Sequence, residues 1–157
     1  MKITRRDFFV KSAQGIAIIS LPELFSSIFE GCTNVNGPQN TDTLPTIQGT
    51  LSNGKIVLTI ESTSPLAKAD SAALVNYQSG SILVDHPSGN TFNALSSICT
   101  HQSCTINSFD SGKNQFVCPC HGSRFDENGK VVQGPAGSPL KQYTTQFSGD
   151  KLTINIS

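Results

Sequence analysis

The chain has 157 residues, which suits one domain of ordinary size. A 36% hydrophobic content can fill a core, while 14% charged residues in a balance of 11 basic to 11 acidic exclude a nucleic-acid-binding surface and an acidic tail. Thirteen Gly, eight Pro and 7% aromatic residues without Trp point to short strands and many turns, and three His restrict the available chemistry.

The first segment reads as a leader. Thr4-Arg5-Arg6-Asp7-Phe8-Phe9, with Lys11 behind it, resembles the twin-arginine export motif. An apolar run from Gly15 to Leu21 follows, is interrupted by Pro22 and Glu23, and resumes over Leu24 to Phe29. A spanning helix needs about 20 mostly apolar residues. Lys11, Ser12, Gln14, Pro22 and Glu23 leave the segment short of that, so it reads as a signal sequence first and a membrane anchor second. The plainer reading is an amphipathic N-terminal helix. The twin-arginine route carries folded proteins, often with a cofactor already inserted.

Gly31-Cys32 at the end of the apolar run resembles a lipoprotein cleavage site, although Glu30 is atypical there. Five cysteines is an odd number, which leaves Cys32 as a lipidation site or a stray thiol. Residues 33–45 are polar and carry Pro and Gly, as a flexible tether would. The expected organisation is therefore a signal or anchor helix over 1–31, a tether over 32–45 and a folded domain over 46–157. Residues 1–31 hold four of the basic and three of the acidic residues, which leaves seven against eight. No charge-driven partner follows.

The folded part reads as all-β. Residues 55–61 are rich in β-branched side chains, and strands are expected over 73–78, 81–85 and 91–95. His86-Pro87-Ser88-Gly89-Asn90 reads as a hairpin loop, with His86 solvated in it. Asn128-Gly129 between apolar residues signals a hairpin over 125–132. Residues 141–147 and 151–156 flank Ser148-Gly149-Asp150 as another. No long 3.6-residue apolar period follows residue 32, and short strands between turns imply a sandwich or barrel-like fold.

The chemistry lies in two boxes, Cys99-Thr100-His101-Gln102-Ser103-Cys104 and Cys118-Pro119-Cys120-His121-Gly122-Ser123. Four cysteines and two of the three histidines thus fall within 23 residues. Two thiolates and two imidazoles suit tetrahedral zinc. They equally suit a [2Fe–2S] centre in which two His replace two Cys on one iron. Zinc would leave Cys104 and Cys120 without a role.

The string CPCHGS and the following F-D-x-x-G-x-V-x-x-G-P-A run resemble the Rieske proteins of cytochrome bc1 and b6f complexes. The resemblance covers about residues 80–157 and is densest over 96–137. It implies an antiparallel β-sandwich or partly open barrel, with a cluster-binding subdomain made of two loops. It also implies one [2Fe–2S] cluster, with Cys99 and Cys118 on one iron, His101 and His121 on the other, and a disulfide between Cys104 and Cys120. An exported protein can keep such a disulfide. Gly134-Pro135-Ala136 resembles the family's proline loop, which covers the cluster. Ser123 matches a serine that donates a hydrogen bond to a bridging sulfide.

Two positions depart from the respiratory pattern. Phe125 stands where a Tyr donates to a ligand sulfur, which implies a potential below that of a respiratory Rieske protein. Gln102-Ser103 replaces Leu-Gly, and the polar residue at 102 has two readings of equal weight, one against quinol docking and one of a position that tolerates variation. A ring-hydroxylating oxygenase needs a further two His and a carboxylate, and only His86 remains. Small oxygenase ferredoxins lack the extra cysteine pair. No catalytic residue is assigned, and the chain is expected to be non-catalytic alone.

The expected function is one-electron transfer on the periplasmic side of a membrane, the chain being held there by its N-terminus. Expected partners are a cytochrome, a copper protein or a quinol-oxidising complex, and no nucleic acid. Three contexts fit: the iron–sulfur subunit of a quinol-oxidising bc-type complex, a freestanding lipoprotein carrier, or the small subunit of a periplasmic molybdoenzyme resembling arsenite oxidase. A zinc-stabilised binding module is the alternative of a different class.

Overall fold

The computed structural model describes residues 41–157. The leader, Cys32 and residues 32–40 of the expected tether lie outside the described residues. Thirteen strands and one 3-10 turn, Pro65–Ala67, make up the described regular structure. Among the described residues, no helix is long and apolar enough to cross a membrane.

The strands form two sheets. The larger runs in the order β2 (Thr46–Gln48), β5 (Ser71–Tyr77), β6 (Gly80–Ser88), β7 (Thr91–Ser96), β12 (Gln142–Ser148), β13 (Lys151–Asn155), β4 (Lys55–Thr59), β3 (Thr50–Ser52). Its two end strands, β2 and β3, are consecutive in the chain and meet at Gly49. One bent segment therefore pairs parallel with β5 on one side and antiparallel with β4 on the other, and the sheet curls into a nearly closed barrel. The Gly49 amide donates to Asn76 O across the seam. A Cβ at Gly49 would lie 2.5 Å from Ile56 Cγ2, so the closure needs glycine at this point.

The smaller sheet has the order β1 (Thr41–Thr43), β8 (Ser108–Asp110), β9 (Gln115–Val117), β10 (Arg124–Asp126), β11 (Val131–Gln133). Thr41–Thr43 falls inside the stretch read as tether, yet it pairs residue by residue with β8, and Leu44 after it is 6% exposed. Ordered pairing thus begins ahead of residue 46, where the domain was expected to start. The polar side chains of the segment hide this, because backbone pairing supplies the contact.

Two apolar cores share a wall. Along β5, β6 and β7, Ala73, Val75, Ile82, Val84, Phe92 and Ala94 point into the barrel. Ala72, Leu83 and Leu95, on the opposite pleat, pack with Phe109, Phe116, Phe125, Cys99 and Cys118 under the smaller sheet. Strands buried on both faces read as unbroken apolar runs, which is why Ala72-Ala73-Leu74-Val75 and Ile82-Leu83-Val84 do not alternate. Each Val or Leu so buried contributes about 1.5–3 kcal/mol.

The expected 86–90 loop is corrected here. Strand β6 continues through His86-Pro87-Ser88, and the turn shrinks to Gly89-Asn90. A register shift between Asp85 and Ser88 accommodates the proline, which is how a strand tolerates one. His86 is buried at 7% exposure and stacks on Phe92 with ring centroids 4.3 Å apart. Its ring nitrogens lie 2.8 Å from Leu66 O and 2.7 Å from Gly89 O. The residue ties the 3-10 turn to the barrel wall.

Candidate metal centre

Both boxes sit at the same end of the smaller sheet. The first follows β7, and its base is closed by a bridge between Ile98 and Thr105. The second is the tip of the β9–β10 hairpin, where Val117 pairs with Arg124. Backbone hydrogen bonds shape each tip. Cys99 N donates to Cys104 O at 2.8 Å and Ser103 N to Cys99 O at 2.9 Å. Cys118 N donates to Ser123 O at 2.8 Å and Gly122 N to Cys118 O at 3.0 Å.

Cys104 and Cys120 are joined by a disulfide, with Cα atoms 6.5 Å apart. It ties the two tips together. Cys99 and Cys118 are unbonded and buried, at 2% and 1% exposure. Burial pushes the Cys118 thiol up, and a hydrogen bond with Cys99 pushes it further the same way. Such thiols are ligands in waiting: a metal must displace their protons. The sulfurs of Cys104, Cys118 and Cys120 lie within 4.8 Å of one another, but the disulfide removes two of these from ligation.

The two imidazoles also meet. His101 and His121 have ring centroids 4.8 Å apart, edge to face at 87°. His101 Nδ1 is buried and has no hydrogen-bond partner among the described residues. A buried ring nitrogen left so is costly unless something else engages it. His121 is exposed.

The proline loop lies across both tips. Its Gly134–Pro135 peptide is cis, and Ala136 is buried. Ala136 N donates to Ser123 Oγ at 3.0 Å. Thr100 Oγ1 donates to Ser138 O at 2.6 Å, and Gln133 Nε2 to Gly122 O at 3.3 Å. Ser123 is fully buried, and its hydroxyl accepts from the loop, which frees its proton for a second acceptor. Phe125 is fully buried in the apolar cluster that includes Cys99 and Cys118. Gln102 is exposed.

Sequence reasoning missed the brace beneath these loops. Arg124 on β10 and Asp110 on β8 form a buried ion pair at 2.8 Å, each side chain 5% exposed, and Arg124 also donates to Gln115 Oε1 at 3.3 Å. It missed Thr100–Ser138 as well. An arginine directly behind CPCHGS was the only available signal.

Comparison with known proteins decides the family. The Rieske [2Fe-2S] domain model matches residues 58–144, more than half of the chain. The chain belongs to the Rieske [2Fe–2S] domain family. Among curated relatives, the cytochrome b6-f complex iron-sulfur subunit of Chlorobaculum tepidum is 37% identical over 76 residues, 48% of this chain and 40% of that protein. The corresponding subunit of Prochlorococcus marinus strain AS9601 is 62% identical over 60 residues, 38% of this chain and 33% of that protein. The chain thus spans well under half the length of these relatives. Among solved structures, the ferredoxin of carbazole 1,9a-dioxygenase from Nocardioides aromaticivorans IC177 superposes with a TM-score of 0.51 at 19% identity, covering 64% of this chain and 98% of that one. That likeness shows the fold alone.

A Rieske domain implies one [2Fe–2S] cluster, and the residues present fit it. Two buried thiols in mutual contact and a buried, unpartnered imidazole nitrogen are the donor types such a cluster needs.

Proposed function

We propose that this chain transfers single electrons as the iron–sulfur subunit of a quinol-oxidising bc-type complex, on the periplasmic side of a membrane. The observation that carries the proposal is the joint burial of Cys99 and Cys118 beside the His101–His121 pair, under one disulfide. The two curated relatives described above, both cytochrome b6-f complex iron-sulfur subunits in name, support the context.

We assign Cys99 and Cys118 to one iron and His101 and His121 to the other. The cluster, when bound, supplies the one-electron couple. The residues around it set its conditions. Neutral imidazoles in place of two thiolates make the site less negative, which raises its potential. The exposed His121 puts one imidazole of the proposed ligand set at the solvent boundary, which makes the pH dependence of the potential worth measuring. Ser123 orients its proton inward because its oxygen is fixed by Ala136 N. The proline loop and the disulfide keep water off the buried thiols.

Export by the twin-arginine route and attachment through the N-terminus complete the proposal. They rest on Thr4 to Phe9 and on Gly31-Cys32. A freestanding lipoprotein carrier is the second reading, favoured by Gly31-Cys32 and the polar stretch that follows it in the sequence, while Gln102 weighs against quinol docking. Replacing Cys32 by Ser should release the protein from membranes if that thiol is lipidated. Retention in the membrane fraction would assign attachment to an uncleaved helix instead.

The decisive experiment is a redox titration of the exported protein followed by electron paramagnetic resonance at two pH values. A rhombic Rieske-type signal with a high potential that falls as pH rises is the expected result. A colourless, silent protein that holds zinc would sink the proposal.

A further inference from the structure

Away from the metal centre, one small cavity lies between the barrel wall and the smaller sheet. It has a volume of about 10 Å³, room for a single water. Asp85 of β6, Asn114 of the β8–β9 turn and Phe109 of β8 line it, together with Asp70, His86 and Glu127. Asp85 is 4% exposed and shares its pleat with Leu83, which faces the smaller sheet. Its Oδ2 accepts from Asn93 Nδ2 at 3.0 Å. Its Oδ1 is buried and has no partner among the described residues, and neither has the buried Oδ1 of Asn114.

Two unpartnered acceptor oxygens therefore belong to residues that line one water-sized space. A carboxylate and an amide oxygen cannot satisfy each other. A carboxylic acid can, because it brings the missing proton. We propose that Asp85 is held as a neutral acid, and that its proton joins the barrel wall to Asn114 Oδ1, directly or across one water.

The charges around the cavity agree. Burial pushes the Asp85 carboxyl up to about 7; the hydrogen bond from Asn93 and one from the backbone at Asp85 oppose this, and the charge of Glu127 adds to it. Asp70 is a further acid at the cavity, and the one basic side chain there, His86, has both ring nitrogens against Leu66 O and Gly89 O. A metal ion is a poorer occupant. Among the described residues, no three acidic side chains gather their oxygens within 4.8 Å of one another.

The consequence is a pH-dependent joint between the two sheets. An acid whose pKa rises on folding binds its proton more tightly in the native state. Its contribution is greatest at low pH and is lost as pH rises from about 4 to about 7.

Thermal unfolding of the cluster-loaded full chain tests this, with wild type and Asp85→Asn compared from pH 5 to pH 8.5. An Asn side chain offers a permanent N–H donor in the same volume. The variant should exceed the wild type by a margin that is small at pH 5, grows as pH rises towards 7 and reaches several degrees at pH 8.5. An infrared difference spectrum, wild type minus variant, should carry a protonated-carboxyl band at pH 5.5 that disappears by pH 8.5. If the variant does not fold, the pH dependence of that band in the wild type alone, assigned by carboxyl-labelled Asp, still decides. Three results would overturn the proposal. One is a variant destabilised equally at all pH values, which would mean an ionised Asp85 facing a flipped Asn114 amide. Another is absence of the band. The last is calcium raising the melting temperature of the wild type but not of Asp85→Asn.

Discussion

The loops at 99–104 and 118–123 share one backbone turn. In each, the fifth residue donates its amide to the carbonyl of the first, and the first donates to the carbonyl of the sixth. In each, the fifth residue is left-handed, Ser103 at φ 57° and Gly122 at φ 73°. The side chains differ. The third position holds His101 in one loop and Cys120 in the other, the fourth holds Gln102 and His121, and the sixth holds Cys104 and Ser123. The first position, buried in both, is a cysteine both times. A shared turn thus fixes where six side chains can stand. The assignment of ligand, disulfide and hydrogen-bond donor then depends on which of those places each residue occupies.

The strongest way to break the comparison is to exchange a ligand for a bystander at equal loop positions. His121→Ala should abolish the [2Fe–2S] centre, as should Cys118→Ala, because each removes a group we assign to iron. Gln102→Leu, at the place matching His121, should leave the centre intact. Iron content and the paramagnetic signal read both. A cluster that survives in His121→Ala would refute the ligand assignment.

The next largest effect tests the link between the loops. Cys104→Ser combined with Cys120→Ser removes a cross-link spanning 16 residues. Closing a loop of about that length is worth about 3 kcal/mol. Equilibrium unfolding should show a loss of that order, with the cluster lost at lower denaturant. If only the cluster were destabilised and the domain unchanged, the disulfide would be guarding the centre rather than the fold.

A smaller effect is expected at Phe125, one strand residue beyond Arg124 at the foot of the second loop. Phe125→Tyr places a hydroxyl in a fully buried site that also holds Cys99 and Cys118. If the hydroxyl donates to a ligand sulfur, it stabilises the more negative, reduced state, and the midpoint potential rises. If it finds no sulfur, the buried group costs about 1–3 kcal/mol of stability and the potential stays where it was. Potentiometry and a melting curve on the same variant distinguish the two.

The boxes were legible in the sequence because their residue types are rare and closely spaced. So were the hairpins at Asn128-Gly129 and Gly149-Asp150, where turn residues sit between strand-formers. What escaped has a common physical character. Thr41–Thr43 joins the sheet through backbone pairing that its polar side chains do not announce. Ser108–Asp110 and Gln115–Val117 are strands of three residues, too short to show a period. His86 looked solvated because Pro87 follows it, and the bulge that absorbs the proline depends on β7 alongside. The Arg124–Asp110 pair joins residues 14 apart across an intervening strand.

The smallest expected effect returns to the fifth position of each loop, where the backbone is the same and the residue is not. A left-handed conformation costs an ordinary L-residue about 1–2 kcal/mol, and glycine nothing comparable. Glycine gives back part of that gain through its freer unfolded chain, so a net difference of about 1 kcal/mol is expected. A Cβ at Gly122 would meet nothing within 4 Å, so Gly122→Ser adds strain without a clash. It should cost about 1 kcal/mol, and Ser103→Gly should gain about the same. Denaturant midpoints of the two variants and of the double exchange measure this. Near-cancellation in the double exchange would mean that the two turns are energetically alike. A loss at Ser103→Gly would mean that the serine hydroxyl stabilises the first loop by more than its backbone costs, and the equivalence of the two turns would then end at their geometry.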